Sequence, residues 1–164
     1  MAILKIIKDG DPILRKQSRK IDRISPRVER LIDDMIETLH EAEGAGLAAV
    51  QVGVLKCVVI IEVEEGNTIV LINPEITDRE GTQNNVEGCL SIPEKWGMTD
   101  RPATVTVKAL DRNGSEFTVT GTELLARAIC HELDHLDGVL YTDNVIRMLT
   151  AEELEELRNG GDKE

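Results

Sequence analysis

The feature that most constrains this chain is a helical segment, residues 122–137, that carries two histidines four positions apart. Its apolar residues recur at helical spacing, and Gly138 follows as a stop signal. Those apolar residues are Leu124, Leu125, Ala128, Ile129, Leu133 and Leu136. On such a helix His131 and His135 project from one face about a turn apart, so both imidazoles can bind one metal ion beside Glu132. We therefore expect a central helix around which the other elements pack.

Two further helices frame a strand-rich middle. Ser25 is placed to cap a helix with Pro26 at its first position, and apolar residues continue at helical spacing until Gly44. A short helix follows Thr150, where Glu153 completes a capping box. The β-branched segments between them, residues 57–63, 68–73, 103–111 and 116–120, predict antiparallel strands. The pattern predicts an α+β fold, with antiparallel strands packed around the central HExxH helix, an N-terminal helix and a short C-terminal helix.

Length, charge and thiols limit the class of protein. A chain of 164 residues predicts one catalytic domain, residues 1–164, with a flexible polar tail at 158–164. Its 31 acidic and 19 basic residues give a net charge of −12, which argues against direct binding to nucleic acid or to a membrane surface. Three cysteines, without an export signal or a membrane-spanning stretch, indicate reduced thiols and a cytoplasmic location.

A catalytic metal site of this kind needs a third protein ligand and one open position. A third histidine of the metzincin type is excluded, because Tyr141 stands where it would be required. His40 is expected to be half-buried at the end of the first helix. The acidic residues after Thr150 are expected to form an exposed helix face. They are Glu152, Glu153, Glu155 and Glu156.

The three thiols differ in their surroundings. Cys130 points about 100° away from His131 around the helix, so it is expected to pack in the core. Cys57 lies in a strand-like apolar run and is expected to pack likewise. Cys89 lies in an irregular segment, residues 85–91, where Gly88 permits a close backbone approach. These residues alone leave Cys89 evenly balanced between a metal ligand and an inert loop thiol.

Three motifs taken together resemble the peptide deformylase family. GAGLAAVQ occupies residues 44–51, EGCLS residues 87–91 and HELDH residues 131–135, in the order and approximate spacing of that family. The likeness extends from GDPILR at residues 10–15 to Gly138, which is most of the chain. It implies a metal-dependent hydrolase that acts in protein biosynthesis. Such an enzyme removes the N-formyl group from N-formylmethionyl peptides of newly made proteins and releases formate.

The resemblance also implies a metal centre. Cys89, His131 and His135 would bind one divalent ion, and Glu132 would act as general base and then as general acid. Such enzymes commonly work with Fe²⁺, with Ni²⁺ or Co²⁺ as substitutes. A thiolate with two imidazoles would also accept Zn²⁺ readily.

Substrate contacts follow from the same resemblance. The Leu90 N–H and the Gln51 side-chain amide would bind the developing oxyanion. The backbone at Gly44, Ala45 and Gly46 would pair with the peptide by strand addition. The partner that these contacts predict is an N-formylmethionyl peptide.

The chain departs from the family at two places. Lys95-Trp96-Gly97 stands where many relatives carry a basic residue, which leaves the contacts of the methionine pocket open. Bacterial members often end in a basic helix implicated in ribosome docking, whereas this chain ends in the acidic AEELEELRNGGDKE, so transient proximity to the ribosome is not expected to depend on that element. Arg101, the positive group nearest the cysteine motif, is a candidate partner for Glu87 but is expected to be an ordinary surface charge.

Two other classes of protein remain open at this stage. A metalloprotease would cleave internal peptide bonds with the same HExxH pattern. A non-enzymatic domain would use its cysteine and histidines as a closed structural metal site and would hydrolyse nothing.

Overall fold

A computed structural model describes residues 2–161, with side chains to residue 159. This part of the chain forms three α-helices and eight strands joined by turns and loops. The helices are α1 (Pro26–Ala42), α2 (Glu123–Leu136) and α3 (Ala151–Gly161). The strands are β1 (Gly46–Ala48), β2 (Val58–Ile61), β3 (Ile69–Glu80), β4 (Gln83–Cys89), β5 (Ile92–Arg101), β6 (Thr104–Leu110), β7 (Glu116–Thr122) and β8 (Arg147–Met148). Short 3₁₀ turns occupy Pro12–Arg15, Ala49–Val52 and Tyr141–Asp143. The fold is α+β, as the sequence predicts.

The strands form two antiparallel sheets. The larger sheet has the order β1-β2-β3-β6-β7, and the smaller has the order β4-β5-β8. In β2, Val58 and Ile60 pack in the apolar cluster of α1, whereas Val59 and Ile61 pack in the cluster of α2. The larger sheet is therefore covered by a helix on each face, which explains the uninterrupted apolar run of β2. On its other side α2 contacts β5, so it lies at the centre of the fold.

The helix ends follow the signals in the sequence. Ser25 Oγ accepts a hydrogen bond from the Val28 N–H at 3.3 Å, and Pro26 opens α1. At the start of α3, Thr150 Oγ1 accepts from the Glu153 N–H, and Glu153 Oε1 accepts from the Thr150 N–H, each at 3.1 Å. Both predicted caps are confirmed.

The smaller sheet is the main part of the fold that the sequence did not predict. Strands β4 and β5 pair along most of their length, yet most of their side chains are polar and outside the core. Neither strand therefore shows the apolar alternation that marks a half-buried strand. The prediction of an irregular segment at 85–91 is wrong in part, because residues 85–89 belong to β4, although its pairing shifts register between Glu87 and Cys89 and residues 90–91 form a turn.

The predicted tail is wrong in part. Residues 158–161 belong to α3, and residues 162–164 lie outside the described residues. A helix needs about 20 mostly apolar residues to cross a bilayer. None of the helices in residues 2–161 is long and apolar enough to cross a membrane.

Gly138 provides a test of how α2 is fixed at its end. It has φ 74°, and a Cβ built there would lie 2.4 Å from the Arg15 carbonyl oxygen. We expect Gly138→Ala to lower the free energy of unfolding by clearly more than the roughly 1 kcal/mol that a positive φ costs alanine, because the backbone at Arg15 must also move. Urea unfolding measures the loss. Gly66→Ala is the matched control, since Gly66 has φ 84° and no atom within 4 Å of its Cβ. Equal losses in the two variants would contradict the steric argument.

Candidate metal centre

The last residue of β4 and two residues of α2 bring three potential ligand atoms together. These atoms belong to Cys89, His131 and His135 and all lie within 4.8 Å of one another. Cys89 Sγ lies 3.4 Å from His135 Nε2, and the two Nε2 atoms lie 3.3 Å apart. Tetrahedral ligands at ordinary Zn–S and Zn–N distances would be about 3.3–3.6 Å apart. The side chains therefore already have the spacing of a metal coordination shell.

The two imidazoles are oriented so that both Nε2 atoms face one point. His131 Nδ1 lies 2.6 Å from Glu87 Oε2, so Nδ1 donates to this carboxylate and leaves Nε2 as the ligand atom. Burial alone would lower the pKa of His131, but the neighbouring Glu132 and hydrogen bonds with Cys89 and Glu87 raise it well above its ordinary value, so a bound ion would replace a proton on Nε2. Burial, reinforced by the neighbouring His131, lowers the pKa of His135 to about 3, so this ring is neutral near pH 7. A thiolate with two neutral imidazoles is a suitable donor set for a borderline divalent ion. The residues present thus fit the metal ion that the resemblance implies.

A buried carboxylate, Glu87 on β4, supports His131 from behind. Glu87 also accepts hydrogen bonds from Arg101 at 2.6 and 3.0 Å, from Arg127 at 2.9 Å and from Thr99 Oγ1 at 2.9 Å. Burial alone would raise the pKa of Glu87, but hydrogen bonds from His131 and Arg101 outweigh burial and hold it well below its usual range. The prediction that Arg101 is an ordinary surface charge is wrong, because its side chain is buried and pairs with Glu87.

Glu132 is buried beside the triad with its carboxylate only partly satisfied. Its Oε2 lies 3.9 Å from His131 Nε2, and its Oε1 has no hydrogen-bond partner among the described residues. Burial raises the pKa of Glu132 to about 7, against the opposing effect of His131. A carboxyl group that titrates near neutral pH can both accept and return a proton. Gly46 keeps this space free, because a Cβ there would lie 2.7 Å from Glu132 Oε2.

Gln51, in the 3₁₀ turn after β1, is held by both ends of its amide. Its Oε1 accepts from the Ala48 N–H at 2.9 Å, and its Nε2 donates to Ser91 Oγ at 3.0 Å. The same Nε2 lies 3.7 Å from Cys89 Sγ, so the amide faces the triad. Leu90 lies in the turn between β4 and β5, and its N–H has no loop or turn partner within residues 2–161. Donors in such positions can stabilise an oxyanion that develops next to Cys89.

The residues that lead into β1 lie along an open sheet edge. On one side β1 pairs with β2, and within the described residues no strand pairs with its other side. An open edge presents free backbone N–H and C=O groups, which an extended peptide can pair with. Gly44 makes room for Leu90, because a Cβ there would lie 2.7 Å from Leu90 Cδ1. Gly44 thus lies against Leu90, and Gly46, the first residue of β1, lies against Glu132.

The other candidate ligands lie elsewhere in the fold. Cys130 is buried in the α2 cluster as predicted, and Cys57 packs against the same cluster. The half-buried state predicted for His40 is wrong, because its side chain is 53% exposed and its ring pairs with Glu62. The acidic residues of α3 are mostly exposed, as predicted.

Sequence reasoning missed part of the shell around the ligands. Arg127 is buried and donates a hydrogen bond to Glu87. It also donates one to the hydroxyl of Thr99. Ser91, which holds Gln51, was not recognised either. Arg127 precedes His131 by four positions, so the same helical spacing that revealed the ligands places it on their face of α2.

Comparisons with known proteins agree with this geometry. The family model described as polypeptide deformylase matches residues 3–150. The chain is 56% identical to the peptide deformylase of Acetivibrio thermocellus over 158 residues, which cover 96% of this chain and 92% of that protein. It is 53% identical to that of Caldicellulosiruptor bescii, covering 99% of this chain and 98% of the relative.

Solved structures show the same likeness. The crystal structure of the enzyme from Thermotoga maritima superposes with a TM-score of 0.86 at 33% identity, covering 90% of this chain and all of that one. The peptide deformylase of Synechococcus elongatus in complex with actinonin has a TM-score of 0.84 at 39% identity, covering 93% of this chain and 82% of that one.

Glu87→Gln tests the carboxylate behind His131. We expect it to lower the free energy of unfolding by about 3–5 kcal/mol, because the buried Arg127 loses its only carboxylate partner and Arg101 keeps only Asp134. We also expect metal affinity about 10–100-fold weaker, because His131 loses its charged acceptor. Urea unfolding and competition with a chelator measure the two effects. Glu75→Gln is the control, since Glu75 only forms an exposed pair with Lys20 and should cost under about 1 kcal/mol. Parent-like stability and affinity in Glu87→Gln would contradict the assignment.

Proposed function

The chain belongs to the peptide deformylase family, and we propose that Cys89, His131 and His135 hold its divalent metal ion while Glu132 moves the proton. The activity of the family is hydrolysis of the N-formyl group of nascent peptides, and this chain is such a hydrolase. The assignment of roles to residues rests on the geometry of the three ligand atoms and on their neighbours.

Glu132 is the observation that carries this assignment. A closed structural metal site needs no ionisable group beside its ligands, and a buried carboxylate without partners is costly. Here Glu132, which follows His131 in the chain, has a carboxylate oxygen without a partner among the described residues. Burial raises the pKa of Glu132 to about 7. These properties support a catalytic centre over the structural alternative.

The proposed reaction uses Glu132 beside His131 and the Gln51 amide beside Cys89. When bound, a divalent ion at this position supplies a polarised carbonyl and a water of lowered pKa. Glu132 accepts the proton of the attacking water. As the formyl oxygen gains negative charge, the Gln51 amide and the Leu90 N–H donate hydrogen bonds to it. Glu132 then returns the proton to the departing amine, so the products are formate and a peptide with a free amino terminus.

We propose that the substrate lies as an added strand along the free edge of β1. Backbone pairing at Gly44, Ala45 and Gly46 would hold a peptide irrespective of its side chains. Such pairing suits an enzyme whose substrates share only their formyl-methionyl start. The short distance from Gly46 to Glu132 supports a binding mode in which the formyl end of that strand lies beside the base.

The ion itself is a further part of the proposal. The donor set would accept Zn²⁺ readily, but Zn²⁺ favours four tetrahedral ligands. Fe²⁺ more readily accepts a fifth ligand. We propose Fe²⁺ as the working ion, with Zn²⁺, Ni²⁺ or Co²⁺ able to replace it. The proposed location is the cytoplasm, where nascent chains are made and thiolate ligands stay reduced. The ribosome would then be a transient neighbour.

Formate release is the direct test of the activity and of the base. The metal-loaded protein should release formate from a formyl-methionyl peptide but should cleave neither an acetyl-methionyl peptide nor internal bonds. We expect Glu132→Gln to lower turnover by about two to four orders of magnitude with the metal retained, because the proton acceptor is lost.

Glu153→Gln, on the exposed helix α3, is the control and should turn over as the parent does. Near-normal turnover in Glu132→Gln with full metal content would exclude Glu132 as the base. Cleavage of internal bonds would favour a metalloprotease instead.

Matched preparations of the Fe²⁺ and Zn²⁺ forms test the metal. We expect the Fe²⁺ form to turn over faster and to lose activity in air, with oxidation of the ion or of Cys89. Turnover and metal content before and after aeration measure this, and mass spectrometry detects thiol oxidation. The Ni²⁺ form is the control for simple ageing. Equal turnover in both forms, without loss on aeration, would contradict the choice of Fe²⁺.

A further inference from the structure

A second concave site lies apart from the metal centre. It is a groove of about 830 Å³ between the chain at residues 19–23, the start of α1 and the chain at residues 54–56. Its volume falls within the range of small-molecule sites, which is about 300–1,000 Å³. None of the metal ligands or of the residues around them lines it.

The charge of this groove is opposite to that of the whole protein. Five basic side chains line it, Arg19, Lys20, Arg23, Arg27 and Lys56, with Asp22 as the sole acidic one among the lining residues. The rest of the chain has 14 basic and 30 acidic residues. Like charges that line one groove repel one another. An anion bound between them therefore lowers the electrostatic free energy of the cluster.

These basic groups are not used by the fold. Among the residues that the structure describes, the side chains of Arg19, Arg23, Arg27 and Lys56 make no hydrogen bond or ion pair. Lys20 has one exposed contact, with its Nζ 3.4 Å from a Glu75 oxygen, which contributes little. Three guanidinium groups therefore remain available to bind phosphate oxygens in pairs.

The groove also has an apolar part. Ile21, Val54 and Leu55 are half-buried among its lining residues, so each presents some apolar surface to an occupant. Ser25 and Arg27 at the start of α1 add the positive end of a 17-residue helix. A ligand with several negative charges and an organic body would use both parts.

We propose that this groove binds a compact organic polyphosphate of the nucleoside di- or triphosphate kind. An extended polyanion such as RNA fits less well, because beyond the groove it would meet the strongly acidic remainder of the surface. A small polyphosphate keeps its charge within the basic cluster. This inference does not depend on the proposed function.

The test is calorimetric titration of the metal-loaded full chain with inorganic triphosphate and with adenosine triphosphate at physiological salt. We expect one site with a Kd below about 1 mM, and tighter binding of the nucleotide because of the apolar part. The variant Arg19→Gln/Arg23→Gln/Arg27→Gln should bind at least ~10-fold more weakly. The control Lys108→Gln/Arg147→Gln/Arg158→Gln changes the net charge equally at exposed positions and should bind as the parent does.

Three further measurements keep the result unambiguous. Circular dichroism establishes that both triple variants are folded. Binding that persists in Cys89→Ser supports the groove, whereas binding lost there would show the phosphates on the metal and overturn the proposal. The proposal is also overturned by no saturable binding, by equal losses in both triple variants, or by tighter binding of a 20-base-pair RNA duplex. Formate release is not part of this readout, so failure of the deformylase assignment would leave it unaffected.

Discussion

The buried carboxylate of Glu87 is the interaction on which the site depends. It joins three elements, because it belongs to β4, accepts from Arg101 at the end of β5 and accepts from Arg127 and His131 on α2. The smaller sheet has little apolar surface of its own. These charge-assisted hydrogen bonds therefore fix β4 against α2 and bring Cys89 to the two imidazoles.

The larger sheet supplies the rigid frame. Because β2 and its neighbours are packed by α1 on one face and α2 on the other, neither helix can shift without opening a core that is almost entirely aliphatic. The same arrangement places the edge strand β1 directly against α2. Gly46 and Glu132 then approach closely enough that only glycine fits, so the proposed peptide-binding edge and the proposed base belong to one packed unit.

The sequence allowed prediction of the parts of the molecule whose signals are local. Helical spacing identifies His131 and His135, and the caps at Ser25 and Thr150 locate two helix starts. The third ligand could not be derived in that way, since Cys89 meets the histidines only through the pairing of polar strands. Arg101 shows the same limit, because its own segment does not decide between a buried pair with Glu87 and an ordinary surface charge. The resemblance to a family supplied what local patterns could not.

One feature of the site extends beyond catalysis. Without an ion, burial raises the pKa of Glu132 to about 7 and lowers the pKa of His135 to about 3. Burial therefore favours the neutral form of both side chains. As the pH rises from about 4.5 to 7, the unfolded chain ionises Glu132 while the folded chain keeps it neutral, so stability is lost over that window. Lowering the pH from about 6.5 towards 3 removes the stability that neutral His135 contributes. A cation bound between them acts as a ligand of the native state and shifts the folding equilibrium by mass action. Metal supply would then set the lifetime of this protein in the cell as well as its rate, because chains made during metal starvation are easier for proteases to unfold and degrade.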